Sequence, residues 1–90
     1  MAEVIELAVK VYQETQNYPK SEEFGLTAQS RRSAVSIASN IAEGAGRNSK
    51  KEFGNFVGIA NASTCELETQ LILANRVNLL SDTALVTLRV

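Results

Sequence analysis

Ninety residues allow one domain at most, and a domain this small is marginally stable unless a disulfide, a metal or partner subunits supplement its core. A single cysteine, Cys65, and the absence of histidine exclude an intrachain disulfide and a Cys/His metal site, which leaves partner subunits as the expected route. Nine Lys and Arg against ten Asp and Glu give a net charge of −1, which argues against avid binding of nucleic acid by bulk charge.

The predicted elements are all helical. Val4, Ala8, Val11 and Thr15 recur at helical spacing, with Ile5 and Tyr12 widening the stripe, and predict a helix over residues 2–17. Asn17-Tyr18-Pro19 ends it, because the residue before proline is pushed out of the helical region. Ser21 to Gly25 reads as a single turn closed by glycine. Thr27 is the expected N-cap of a second helix, to residue 43, with Gly44 and Gly46 as its stop and loop. This helix carries two stripes, Ser30-Ala34-Ile37-Ile41 and Ala28-Val35-Ala38-Ala42, so it is expected to be covered on two sides.

Ser49 and Glu52 form a capping-box pattern opening a third helix, 50–77. Phe53, Val57, Ala60, Thr64, Leu67, Leu71 and Ala74 repeat there with 4-3 spacing, a heptad-like seam. Gly54 and Gly58, four apart, are read as permitting a close helix contact. Ser81 is the expected cap of a short fourth helix, 82–90. At 1.5 Å per residue the third helix spans about 42 Å, the first about 24 Å and the fourth about 14 Å. In an up-down-up-down bundle this leaves Phe53 and Phe56 without cover, so either both termini are shortened or other subunits cover that end.

Chemistry-bearing residues are few. Arg31, Arg32, Arg47, Lys50 and Lys51 form the best candidate set, as a nucleic-acid contact that neutralises phosphates. The last three flank a glycine-containing loop and a helix N-terminus, where free N–H groups add an anion site. The competing reading is a solvated face, pairing with Glu22, Glu23, Glu43 and Glu52, or carboxylate partners across a subunit interface. Glu43, Glu66 and Glu68 invite a metal reading, but the four-helix di-metal pattern needs histidine and there is none. Cys65, beside the seam, is expected to be buried and inert, with no base to activate it. The serines at 30, 33, 36 and 39 read as small packing surfaces, and Asn40 and Gln29 as either bonding across helices or simply exposed. No enzyme activity, catalytic residue, metal or cofactor is expected. The start, Met1-Ala2-Glu3-Val4, has no basic leader and no apolar run approaches a membrane span of roughly 20 residues, so a cytoplasmic location is expected.

Taken together, Tyr18-Pro19-Lys20, Gly25-Leu26-Thr27-Ala28-Gln29, Arg31 through Ile37, Ser39-Asn40-Ile41-Ala42-Glu43-Gly44, Gly46-Arg47, Ser49 through Phe53 and Cys65 through Leu71 resemble one family. It is the four helix bundle family, also called 23S rRNA-intervening-sequence proteins, with the accessory variability determinant of diversity-generating retroelements as a relative. The resemblance covers roughly residues 5–82. It implies an all-α, antiparallel four-helix bundle assembled into a homo-oligomer, commonly a homopentamer. It further implies contact with RNA or DNA through a basic surface, and a reverse transcriptase or other protein as partner. The usual aromatic lead-in and longer fourth helix are missing here. The expected function is a non-enzymatic scaffold or adaptor, with a purely structural protein-interaction module as the alternative.

Overall fold

Leu7, Val4, Ala8, Val11 and Thr15 share one face of an amphipathic segment, and in the computed structural model, which describes residues 1–89, that segment is helix α1 (Ala2–Thr15). A 3₁₀ turn (Lys20–Glu22) leads into α2 (Leu26–Ala45), followed by α3 (Lys50–Arg76) and α4 (Asp82–Leu88). Val90, the last residue of the predicted fourth helix, lies outside the described residues. No strand occurs among the described residues.

The helices run up, down, up, down. α2 and α3 form the main antiparallel hairpin, α1 lies along α2, and α4 packs in the angle between α1 and α3. The long axis of the molecule, 44 Å, is set by α3, whose 27 residues span about 40 Å. α4, with seven residues, spans only about 10 Å. The core comprises Leu7 and Val11 of α1, Ala34 and Ile37 of α2, Leu67, Leu71 and Ala74 of α3, Leu88 of α4, and Tyr18 and Leu80 from the connections. It therefore occupies the half of the bundle where all four helices overlap. No helix is long and apolar enough to cross a membrane.

Local chemistry explains the helix ends. Ser49 Oγ accepts the Glu52 N–H at 3.0 Å, and Ser81 Oγ accepts the Ala84 N–H at 3.1 Å, the N-caps expected from the sequence. Asn78 adopts φ of +68°, a left-handed conformation asparagine tolerates, and lets the Leu79 N–H return to the Ala74 carbonyl at 2.8 Å. Asn75 then donates to both Leu80 O and Asp82 Oδ1, tying the end of α3 to the start of α4.

The start of α2 differs from expectation. Thr27 lies inside the helix; the cap position is Gly25, and the Leu26 N–H is accepted by the Glu22 carboxylate at 3.1 Å. An acceptor four residues upstream thus does what a Thr27 hydroxyl would have done. Gly44 also differs: it is a buried helical residue, not a stop, and α2 runs on to Ala45. A Cβ at Gly44 would stand 3.0 Å from Phe56 Cβ and 3.2 Å from Phe53 Cδ1, so close approach of α3 is what requires glycine there. Gly54 and Gly58 reverse the expectation made of them, since a Cβ at either meets nothing within 4 Å.

The α2–α3 contact is made of small residues. Ser30, Ser33 and Ala34 of α2 and Ala60 and Ser63 of α3 are all buried, and Ser36 and Ser63 share a hydroxyl hydrogen bond of 2.8 Å. Asn40 bonds within its own helix, to Ser36 O and Oγ, and not across to a neighbour. Gln29 is exposed.

Tyr18 packs in the corner after α1 with 8% exposure, and its hydroxyl is buried without a hydrogen-bond partner among the described residues. Burial, and secondarily the Glu14 carboxylate, hold its pKa above the ordinary value of 10.0. The folded state therefore keeps this proton more tightly than the unfolded chain, and the associated stability is intact below the unfolded pKa and lost as pH rises through the folded one. Tyr18→Phe is expected to change neutral-pH stability by no more than about 1 kcal/mol, because no hydrogen bond is removed. Urea midpoints should then fall above about pH 10 more steeply in the parent than in the variant; equal slopes would refute this role for Tyr18.

Candidate functional site

The five candidate cations do not form one patch. Arg31 and Arg32 lie early in α2, and Arg47 follows its end, about 24 Å further along the helix axis. Lys50 and Lys51 occupy the first turn of α3, beside Arg47 in sequence and at the same end of the bundle.

Arg31 is committed to the fold. Its Nε donates to Thr15 Oγ1 at 2.9 Å, its Nη2 to Tyr12 O at 3.3 Å, and its guanidinium lies 4.5 Å from the centroid of the Tyr12 ring. Thr15 Oγ1 in turn donates to Val11 O at 2.7 Å. This chain of contacts fastens α1 to α2, leaves Arg31 half-buried, and involves no carboxylate among the described residues. Nothing local in the sequence signals it, because Arg31 and Tyr12 are 19 residues apart.

Arg32 is exposed and lines a cleft between α2 and α3 with Ser33, Ser36, Ser63, Glu66 and Gln70. Arg47 forms an i,i+4 ion pair with Glu43 at 2.7 Å and lies 4.9 Å from the Phe56 ring centroid. Both members of that pair are well exposed, so it contributes less than about 1 kcal/mol and leaves the arginine able to exchange partners. Lys50 and Lys51 are exposed and have no carboxylate partner among the described residues. The end of the bundle carrying Arg47, Lys50 and Lys51 is thus the accessible cationic surface.

The other candidates separate. Cys65 is exposed, not buried as expected, because it lies on the far side of α3 from Leu67. Glu43 belongs to α2 and is engaged with Arg47, while Glu66 and Glu68 lie on different faces of α3. Glu68 approaches Arg89, the residue after α4, at 4.0 Å.

A feature the charge pattern does not point to is an apolar groove of about 340 Å³ between α1 and α2. Ile5, Val9, Tyr12 and Val35 line it at 42 to 51% exposure, with Ala8 and Ala38 beneath and Gln13, Gln16 and Ser39 around them. No charged residue lines it among the described residues, whereas the clefts beside Lys10, Glu6, Glu43 and Arg32 each carry at least one. A surface depleted of charge and built around an aromatic residue has the composition of the centre of a protein–protein contact. The sequence signal was present in the excess width of the first stripe, where Ile5 and Tyr12 exceed what one neighbouring helix covers. The second stripe of α2 is likewise less covered than expected, with Val35 and Ala42 exposed. Phe53 is 45% exposed and Phe56 partly buried, consistent with the gap left by the short α1 and α4.

The fold and this surface define a small all-α bundle with an unfilled apolar face. A family model for the 23S rRNA-intervening sequence protein matches residues 1–89, and the chain belongs to that family. The match extends over both ends of the resemblance drawn from the motifs. No curated protein matches the chain.

Proposed function

We propose that the chain is a non-enzymatic, homo-oligomeric helical scaffold that presents the Arg47, Lys50 and Lys51 end of each copy to the phosphates of RNA or DNA. The observation that carries the assembly limb is the uncharged α1–α2 groove, four of whose large apolar side chains are half-exposed in one copy. The nucleic-acid limb is supported by where the lysines sit. Cations in the first turn of a 27-residue helix oppose its macrodipole, an unfavourable placement that a bound anion would relieve. Arg31 is not part of this surface, since it lies near the other end of α2, held against α1 by Thr15 and Tyr12. A cytoplasmic location and a protein partner such as a reverse transcriptase belong to the same proposal.

With three cations per copy the contact is weak singly and gains strength from repetition around an assembly. Light scattering at low and high salt, with and without a mixed single-stranded RNA, tests both limbs. The expected result is a defined oligomer that gains mass with RNA at low salt. The logarithm of the binding constant is expected to fall against log salt with a slope of about −2 per contacting copy. Lys50→Gln with Lys51→Gln is expected to flatten that slope to about −0.7 without changing oligomer mass. A defined oligomer that ignores RNA at every salt concentration would favour the purely structural module, and a monomer would refute the scaffold.

A further inference from the structure

The molecule carries a second apolar surface, and it differs in shape from the first. Ile59, Ala62, Glu66 and Leu73 of α3 and Val77 at its C-cap are spaced 3, 4, 7 and 4 residues apart, so they fall on one line of the helix, and all are exposed. Ile59 and Leu73 are each 49% exposed and Val77 is 51% exposed. A line of side chains on a single helix is a ridge, whereas the space between α1 and α2 is a groove. A molecule with one ridge and one groove satisfies both by joining a second copy head to tail, not by pairing like with like.

The levels of the two surfaces along the bundle agree. Ser36 on α2 meets Ser63 on α3. In that antiparallel pair each step back along α2 is a step forward along α3, so Arg31 stands level with Glu68, two residues or about 3 Å from Glu66. On the other side Thr15 of α1 meets Arg31. By the same counting Val9 is level with Ile37 and hence with Ala62, and Ile5 with Ile41 and hence with Gly58, next to Ile59. Two copies set side by side with no axial shift therefore bring Ile59 to Ile5, Ala62 to Val9 and Glu66 to Arg31.

The charges agree as well. Arg31 is a half-buried cation above the Tyr12 ring, and Glu66 is the single acidic residue within the ridge, with Arg76 beside its far end; neither Arg31 nor Glu66 has an ion-pair partner among the described residues. Glu66 and Arg32 of the same copy line one cleft yet form no ion pair. We propose that the α3 ridge of one copy seats in the α1–α2 groove of the next, with Glu66 of the first paired to Arg31 of the second. This rests on the self-assembly reading above and specifies its contact.

Two double variants test the pairing. Val9→Glu with Val35→Glu closes the groove, and Ile59→Glu with Leu73→Glu closes the ridge. Solution mass by light scattering is the readout, and far-ultraviolet circular dichroism checks that both variants are folded. The parent is expected to assemble and each double variant to be monomeric. An equimolar mixture is expected to form a 1:1 dimer, because each variant supplies the face the other lacks. A ridge variant that assembles like the parent would overturn head-to-tail joining in favour of groove against groove, and a mixture that stays monomeric would overturn it too. A monomeric parent would instead defeat the self-assembly reading beneath it. Glu66→Gln, at an exposed side chain, stays informative if a double variant does not fold. It is expected to weaken assembly about tenfold, and an unchanged concentration midpoint would overturn the Glu66–Arg31 pair.

Discussion

Leu67→Ala is expected to lower the unfolding free energy by about 3–4 kcal/mol and the thermal midpoint by about 15–25 °C. Leu67 is completely buried at the centre of α3, within the cluster that includes Val11 of α1, Ile37 of α2 and Leu88 of α4. Removing three carbons there leaves a cavity at the level where all four helices meet, and no exposed side chain can collapse into it. A 90-residue domain has about 5–10 kcal/mol in total, so this one change consumes a third or more of it. Val86→Ala, at a side chain 74% exposed, is expected to change stability by less than about 0.5 kcal/mol. Urea denaturation of both variants checks the contrast, and a Leu67→Ala loss below about 1 kcal/mol would mean the core is not centred on this residue.

Gly44→Val is expected to cost about 2–3 kcal/mol. The first added carbon already stands 3.0 Å from Phe56 Cβ, an atom that cannot move without α3 itself. Valine adds two further methyl groups and a restricted side-chain torsion. Alanine at the same position would offset much of its clash by the roughly 1 kcal/mol that glycine costs in a helix interior. Gly54→Ala meets open space and is expected to stabilise by about 0.5–1 kcal/mol. Opposite signs at two helical glycines would establish that the room around each Cβ, and not glycine as such, decides the outcome. Stabilisation by Gly44→Val would show that α2 and α3 do not approach as described.

The same glycines show where sequence reading succeeds and where it stops. Ser49 with Glu52 and Ser81 with Ala84 are interactions over three residues, and their caps form where the local pattern places them. The seam through Ala60, Leu67, Leu71 and Ala74 is likewise local, set by helical periodicity, and all four are buried. Gly44 and Gly54 have the same intrinsic freedom, and only the neighbour packed against each tells them apart. Phe53 begins the seam by spacing yet remains 45% exposed, because α1 and α4 do not reach its level. Cap choice at α2 failed for a related reason: the Glu22 carboxylate reaches Leu26 only once the 3₁₀ turn has folded back.

For the site, residue type was legible and assignment was not. Arg31 and Arg47 are both arginines in a basic stretch, but one is fastened to Thr15 and Tyr12 and the other carries an exposed ion pair with Glu43. That distinction depends on which side of α2 meets α1, a relation between segments far apart in the chain. The groove was half legible, since Ile5 and Tyr12 already made the first stripe too broad for one neighbour, while Val35 joins it only through the α1–α2 packing.

The Ser, Ala and Gly lining of the α2–α3 contact also bears on temperature. Ser30, Ser33, Ala34, Gly44, Ala60 and Ser63 bring two backbones together while withdrawing little hydrocarbon from water. The heat-capacity change of unfolding scales with the apolar area exposed, less a polar contribution of opposite sign. Unfolding this chain is therefore expected to carry a heat-capacity increment below the usual value of roughly 12–15 cal/mol/K per residue, so that its free energy varies with temperature along a broad, shallow arc. Such a bundle gives up less of its stability on cooling than one of equal length held by leucine against leucine.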